Sequence, residues 1–153
     1  MALDELDISI LQILQSDARI SNAELARRVN LSPPATLVRV RRLEDSGYID
    51  GYAAFVNHRQ AGYDMLCFVS VSLQLHDIEQ VTGFRDAIAK IPEVLECHHV
   101  TGDYDYLLKI VAQNTQDLEN FLLRKLTPIP GVARIHTSLV LNEVKSTTVI
   151  PIK

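Results

Sequence analysis

A cluster of arginines distinguishes one short segment of this sequence. Five arginines and no acidic residue occur between positions 27 and 42, although the chain of 153 residues has a formal net charge of −4. The first lysine of the chain is Lys90. A local arginine surface on an acidic body can neutralise phosphates while limiting nonspecific adhesion. The segment therefore predicts a surface for double-stranded DNA, built on Arg27, Arg28, Arg39, Arg41 and Arg42.

The predicted helix in this segment has an inward side and an outward side. The spacing of Thr36, Val40 and Leu43 predicts that they face a core. In helix-turn-helix proteins the N-terminal part of the second motif helix enters the major groove. We expect base-edge contacts from Pro34, Ala35, Val38 and Arg39, and phosphate contacts from Arg28, Ser32, Arg41 and Arg42. The alternative is a solvated charged face on a small helical bundle.

A glycine and two aspartates form a second candidate site, in a predicted turn. Gly102 can adopt a positive φ and allows a ligand to approach the backbone closely. The carboxylates of Asp103 and Asp105 can accept from an α-ammonium group, and exposed turn amides can donate to an α-carboxylate. This combination suits an amino acid zwitterion. A tight hairpin whose aspartates bond only their own backbone is the alternative, and these residues alone leave both open.

The remaining reactive side chains do not have the spacing of a catalytic or metal site. His98 and His99 are adjacent, so on a strand they point to opposite faces, and the other three histidines show no ligand spacing. Cys67 and Cys97 lie in apolar segments and are expected to be buried free thiols. The sequence contains no phosphate-binding loop, dinucleotide motif or evident nucleophile–base pair. We expect no enzyme activity, no metal, and no cofactor apart from a small-molecule effector.

Three helices are predicted in the first 50 residues. The first covers residues 4–16, and the second begins at Ser21, where Glu24 completes a capping box. The third follows Ser32 as its N-cap and ends at Gly47. A turn of three residues joins the last two helices, as in a helix-turn-helix motif.

From residue 66 the pattern changes to alternating apolar and polar residues, which predicts strands. The order β-α-β-β-α-β is that of a ferredoxin-like unit, and the segment before the second strand (IPEV, 91–94) recurs before the fourth (IPGV, 129–132). Both helices cover one face of the sheet, so we expect a second copy of the chain to cover the other. The predicted strands are 66–75, 94–101, 106–112 and 132–141, with helices at 77–90 and 115–126 and a short tail strand at 147–152.

The fold class is therefore α+β, with two domains. Residues 1–50 are expected to form the DNA-binding domain, 51–65 an extended linker, and 66–153 a ligand-binding and oligomerisation domain. The sequence contains no apolar run of the roughly 20 residues that a membrane span needs, and it begins with acidic residues. These features predict a cytoplasmic protein.

Several motifs along the chain closely resemble the Lrp/AsnC family of leucine- and asparagine-responsive regulators. In the first domain they are LDISIL (6–11), RISNAELA (19–26), LSP (31–33) and RVRRLEDSG (39–47). In the second domain they are ECH (96–98), VTGDYDYLL (100–108) and EVK (143–145). The similarity covers essentially the whole chain in the same order, and the GDYDY segment is its most specific part.

The resemblance implies a winged helix-turn-helix domain, an amino-acid-binding domain, and dimers that commonly assemble to octamers with effector bound between dimers. Asp105 resembles the family's ligand-responsive aspartate, whereas Ser138 falls where some relatives carry tyrosine. We therefore expect a sequence-specific transcriptional regulator modulated by an amino acid. A nonspecific architectural DNA-binding protein and an enzyme-associated amino-acid-sensing subunit are the alternatives. The implied effector residues are Thr101, Gly102, Asp103, Tyr104, Asp105, Thr137 and Leu139.

Overall fold

The computed structural model describes residues 2–153, which form two compact units. The first unit contains the described residues up to Phe55 together with Lys145–Lys153. The second unit is Val56–Val144.

Three helices form the first unit, as the sequence predicts. They are α1 (Glu5–Ser16), α2 (Asn22–Arg28) and α3 (Pro33–Asp45). Their apolar stripes meet in one core because side chains three and four positions apart share a helix face. The buried residues of this core are Ile10, Leu11, Leu25, Val29 and Leu43.

Helix α3 has the predicted ends and the predicted orientation. The Ser32 hydroxyl accepts a hydrogen bond from the Ala35 amide at 3.4 Å, and a proline occupies the first helical position. Gly47, with φ of +73°, follows the last turn, where the left-handed conformation favours glycine. Thr36 and Leu43 are fully buried. The face opposite these two side chains is therefore the one that α3 presents to solvent.

The second unit has the predicted ferredoxin-like order of strands and helices. It comprises β1 (Met65–Leu73), α4 (Ile78–Ala89), β2 (Val94–His99), β3 (Tyr106–Ala112), α5 (Thr115–Asn120) and β4 (Val132–Leu139). The strands pair antiparallel in the order β2-β3-β1-β4. The predicted helix at 115–126 is α-helical only to Asn120, because Phe121–Leu126 continue as a π-helix.

The sheet buries one face beneath its helices. Cys67, Val69 and Val71 of β1 point into a core that includes Phe84 of α4 and Phe121 of the π-helix. The alternate β1 side chains lie on the opposite face, since successive residues of a strand alternate. On that face Phe68 is 37% exposed.

Two local predictions are wrong. The tail strand at 147–152 does not form. Instead, the Ile150 amide and carbonyl bond to the side chain of Gln15. Gln15 belongs to helix α1, which cannot pair with a strand. Cys97 is exposed rather than buried, because β2 is an edge strand whose side chains are mostly exposed. Cys67, on the central strand β1, is buried as predicted.

Replacing two glycines of the second unit by alanine should change the stability of the protein in opposite directions. Gly131 has φ of +90°, and an added Cβ would lie 2.5 Å from the Gln80 side chain. We expect Gly131→Ala to lower the free energy of unfolding by about 1–2 kcal/mol. Gly83 lies in α4 with open space around it, so Gly83→Ala should raise stability by up to about 1 kcal/mol. Thermal unfolding of both variants tests this, and a lower midpoint for Gly83→Ala would contradict it.

Candidate functional site

The outward face of α3 is an apolar and basic surface. Pro34, Ala35 and Arg41 are exposed, and 65% of the Val38 surface is accessible. Ser32, which caps the helix, is exposed beside them. Among residues 2–153, Arg41 has no salt bridge or side-chain hydrogen bond. Its guanidinium is available to an external anion.

Arg39 and Arg42 are held by carboxylates of α1. Arg39 Nη1 lies 2.7 Å from Asp4 Oδ2 and 2.8 Å from Asp7 Oδ1, while Arg42 Nη2 lies 2.6 Å from Asp7 Oδ2. The Asp7 side chain is 1% exposed, whereas that of Arg42 is 45% exposed. These four residues, hereafter the Asp7 cluster, join the first helix to the outward side of α3.

The Asp7 cluster fixes two arginines that the sequence assigns to DNA. Asp4 also caps α1 in a reciprocal capping box with Asp7. The Asp7 backbone amide, followed by the Arg39 guanidinium, lowers the pKa of the Asp4 carboxyl. Arg39 keeps only 24% of its side chain exposed, so it enters any DNA contact from a fixed and partly neutralised position.

Arg28 belongs to a separate ion pair on α2. Its Nε lies 3.0 Å from Glu24 Oε1, and Arg27 bonds the same carboxylate. Hydrogen bonds from Arg27 and then Arg28 lower the pKa of Glu24 to about 2. The Arg28 side chain remains 46% exposed, so it can reach an external phosphate as well as Glu24.

Sequence reasoning missed Asp7 as a structural partner of the basic surface. Helix-dipole arguments explain an acid in the first turn but not a buried one. The signal was the position of Asp7, three and four residues before Ile10 and Leu11, which places it on the buried stripe of α1. A carboxylate on such a stripe requires a cationic or hydrogen-bonding partner.

The second candidate site is the turn of residues 101–105, hereafter the Gly102 turn. Gly102 has φ of +115°, as the sequence predicts for this position. Asp105 Oδ2 accepts from the Leu73 amide at 2.8 Å, and Oδ1 lies 2.8 Å from His76 Nε2. The Leu73 amide is the main cause of a lowered pKa at Asp105, and His76 adds to it. The Asp105 side chain is thus a fixed carboxylate, 22% exposed.

The backbone of the Gly102 turn is anchored on the face of the sheet opposite the helices. The Asp103 carbonyl accepts from Arg134 Nη2 at 2.9 Å and from the Ser72 hydroxyl at 3.4 Å. Ser72 and Arg134 are register partners on β1 and β4. The guanidinium carbon of Arg134 lies 5.0 Å from the centre of the Tyr104 ring. Thr101 and Asp103 are exposed, so ligands can reach this turn.

The structure does not bring Thr137 and Leu139 to the Gly102 turn of the same chain. They pair with Val69 and Cys67 of β1, so they lie further along β4 than Arg134 and on the other face. Leu139 is 47% exposed. These two residues could contribute to a ligand at this turn only across a contact between subunits.

Neither a metal centre nor a membrane span is found in the described chain. Residues 2–153 contain no group of three or more His, Cys, Asp or Glu side chains placed to hold a metal ion. No helix in the same range is long and apolar enough to cross a membrane.

Comparison with known proteins shows the family of the chain. Residues 3–50 match the profile described as winged helix-turn-helix DNA-binding, and residues 66–150 match that of the Lrp/AsnC ligand binding domain. This chain belongs to the Lrp/AsnC family. It is a DNA-binding transcriptional regulator with a ligand-binding domain, and the sequence prediction of family, fold and function is confirmed.

Full-length relatives agree with the profiles. The leucine-responsive regulatory protein of Escherichia coli (strain K12) is 42% identical over 151 residues, covering 99% of this chain and 92% of that protein. A transcriptional regulator of Neisseria meningitidis, crystallised with L-Met, is 37% identical with a TM-score of 0.94, covering 98% of this chain and 97% of that chain. Escherichia coli AsnC is 30% identical with a TM-score of 0.86, covering 99% of this chain and 100% of that one. The first of these relatives is named a regulatory protein and the second a transcriptional regulator.

Proposed function

We propose that this regulator binds pseudo-palindromic DNA as a dimer, with the outward face of α3 in the major groove of each half-site. The observation that carries the proposal is the exposed surface of Val38 and Arg41 on a helix whose other side is buried. An apolar side chain can contact thymine methyl groups, and arginine can contact guanine or phosphate. Two such helices in a symmetric dimer fit half-sites about one helical turn apart, or a multiple of that distance.

The proposed effector is an amino acid bound at the Gly102 turn. The fixed carboxylate of Asp105 and the exposed carboxylate of Asp103 are acceptors for an α-ammonium group. A relative of this fold was crystallised with L-Met, and the matched profile is that of a ligand-binding domain. An effector that binds one assembly state better than another shifts the population of the two, and with it the affinity for DNA.

The proposed assembly is a dimer that associates further, to an octamer, in the cytoplasm. The uncovered face of the β2-β3-β1-β4 sheet is available for the dimer contact. In such an assembly Thr137 and Leu139 of one subunit would join the Gly102 turn of another. We propose that this second contact joins two dimers, so that the effector lies between dimers. No catalytic or cofactor role is proposed.

Substitutions at Arg41 and Val38 test the DNA surface. Arg41→Gln should weaken binding to specific and random duplexes alike and, because each subunit of the dimer loses one phosphate contact, reduce the slope of log affinity against log salt by about 2. Val38→Ala should reduce mainly the preference for the specific site, since it removes contact area and no charge. Fluorescence anisotropy with a promoter fragment and a random duplex measures both effects. Arg124→Gln, the same change at an exposed position of the second unit, is the control.

These variants are more informative than alanine at Arg39 and Arg42. Removing both of those arginines would also leave the buried Asp7 carboxylate without its partners, and the loss of DNA binding could reflect unfolding. Unchanged binding by both Arg41→Gln and Val38→Ala would remove the outward face of α3 from the interface. Equal affinity of the unmodified protein for both duplexes would favour the architectural function.

A further inference from the structure

We propose that Arg134 is a ligand-binding residue that pairs with the α-carboxylate of the amino acid effector. The inference rests on the proposed function of the Gly102 turn and assigns its second charged contact. It starts from the charge of the site. A zwitterion presents a carboxylate as well as an ammonium group, and a cationic donor gives that carboxylate a stronger hydrogen bond than backbone amides alone.

Arg134 is the arginine that contacts this turn, and its guanidinium is charged at any physiological pH. Its Nη2 donates to the Asp103 carbonyl at 2.9 Å, and its guanidinium lies over the Tyr104 ring. The Asp105 carboxylate lies two residues after Asp103 and is bonded to the Leu73 amide and to His76 Nε2. The turn therefore carries a cation on its β4 side and a fixed anion at the end of β1.

The guanidinium of Arg134 has unused donors. Arginine has five N–H groups in a planar fork, and one of them bonds the Asp103 carbonyl. Within residues 2–153 Arg134 has no salt bridge and no second hydrogen bond, and the side chain is exposed. A two-point contact with a carboxylate remains available to the fork, and this is the strongest geometry that arginine offers.

Contacts with the turn also fix the direction of the guanidinium. The bond to Asp103 and the stack on Tyr104 restrain the long side chain before ligand arrives, so less rotamer entropy is lost on binding. Ser72, the register partner of Arg134, bonds the same carbonyl and holds the turn if Arg134 is changed. The loss of ligand contact can therefore be separated from collapse of the turn.

The test compares a ligand that has the carboxylate with one that lacks it. L-methionine and L-methioninamide share the side chain and the ammonium group, but the amide carries no negative charge. In calorimetry, unmodified protein should bind L-methionine at least about tenfold more tightly than L-methioninamide. Arg134→Gln should lower the affinity for L-methionine by about tenfold and change the affinity for L-methioninamide by less than about twofold. The two affinities should then become similar. Arg124→Gln should retain the ratio of the unmodified protein.

Each other outcome has a definite meaning. If Arg134→Gln lowers both affinities equally, so that their ratio is unchanged, Arg134 does not contact the carboxylate. The proposed effector site would still stand. Failure of the unmodified protein to bind any of the standard amino acids would overturn the proposed effector itself. If Arg134→Gln does not fold, Arg134→Lys keeps the charge without the fork. Arg134→Lys should then lower the affinity for L-methionine severalfold, and L-methionine should still bind more tightly than L-methioninamide. If both affinities equal those of the unmodified protein, the proposal is wrong.

Discussion

The Asp7→Asn variant should lose about 3 kcal/mol of the free energy of unfolding of the first unit. Asp7 is a carboxylate with almost no exposed surface, and it neutralises Arg39 and Arg42 at 2.8 and 2.6 Å. Asparagine has nearly the same volume, so no cavity forms. It removes the charge and turns an N–H group toward two guanidiniums. The loss lies at the lower end of the range for broken buried ion pairs, because both arginines retain contact with water.

Asp4→Asn is the matched control for this prediction. Asp4 bonds the same Arg39, but about half of its side chain is exposed, and a surface ion pair contributes little to stability. Asparagine is also a good N-cap, so the start of α1 is preserved. Urea unfolding followed by circular dichroism at the helical band should show a clearly larger loss for Asp7→Asn than for Asp4→Asn. Equal losses would mean that Asp7 acts only through the helix cap.

The Asp7 cluster also marks where prediction from the sequence ends. Helix ends were predictable because caps are local, as at Ser32 and Gly47, where one side chain or one φ value decides the boundary. The pairing of Asp7 with Arg39 and Arg42 is not local, since 32 and 35 residues separate the partners. Only the packing of α1 against α3 brings them together.

The same distinction applies in the second unit. Alternation of apolar and polar residues predicted the first strand, because β1 has one face on the core beneath the helices. Alternation could not say that β2 is an edge strand, and so it predicted the wrong environment for Cys97. Strand order depends on pairing between distant segments, and a one-dimensional pattern does not contain it.

The Gly102 turn was visible in the sequence, but its supports were not. Gly102 and the two aspartates indicate a turn by their residue types alone, since glycine readily adopts a positive φ and aspartate is common in turns. His76 and Arg134 reach the turn from segments about 30 residues away on either side. The sequence can therefore locate a ligand site of this kind by its turn. The distant side chains that complete the site are known only once the pairing of the strands is known.

The second large effect is expected at Asp105, where Asp105→Asn should weaken binding of an amino acid effector by at least about tenfold. The substitution removes the negative charge that would pair with the α-ammonium group. It keeps one oxygen, which can still accept from the Leu73 amide. Since the first unit is unchanged, DNA affinity without effector should stay within about twofold of the unmodified protein, whereas the response to effector should be lost.

Stability must be measured beside binding for this variant. The hydrogen bond from Leu73 lowers the pKa of Asp105, so the charged carboxylate favours the folded state above its ordinary pKa of about 3.8. That contribution is complete at neutral pH and disappears as the pH falls through the lowered value. Asp105→Asn should therefore unfold at a somewhat lower temperature at pH 7, and this difference should shrink in acid. Calorimetry well below the unfolding midpoint keeps the two effects apart.

Two comparison variants make the assignment to Asp105 specific. Asp86→Asn changes the same charge at an exposed position of α4 and should leave effector affinity unchanged. Asp103→Asn alters the exposed carboxylate of the same turn and should have the smaller effect, because no hydrogen bond or ion pair within residues 2–153 holds that carboxylate in place. If Asp103→Asn removes effector binding and Asp105→Asn does not, the carboxylate held by Leu73 and His76 is only a structural support for the turn. The ammonium contact then belongs to Asp103.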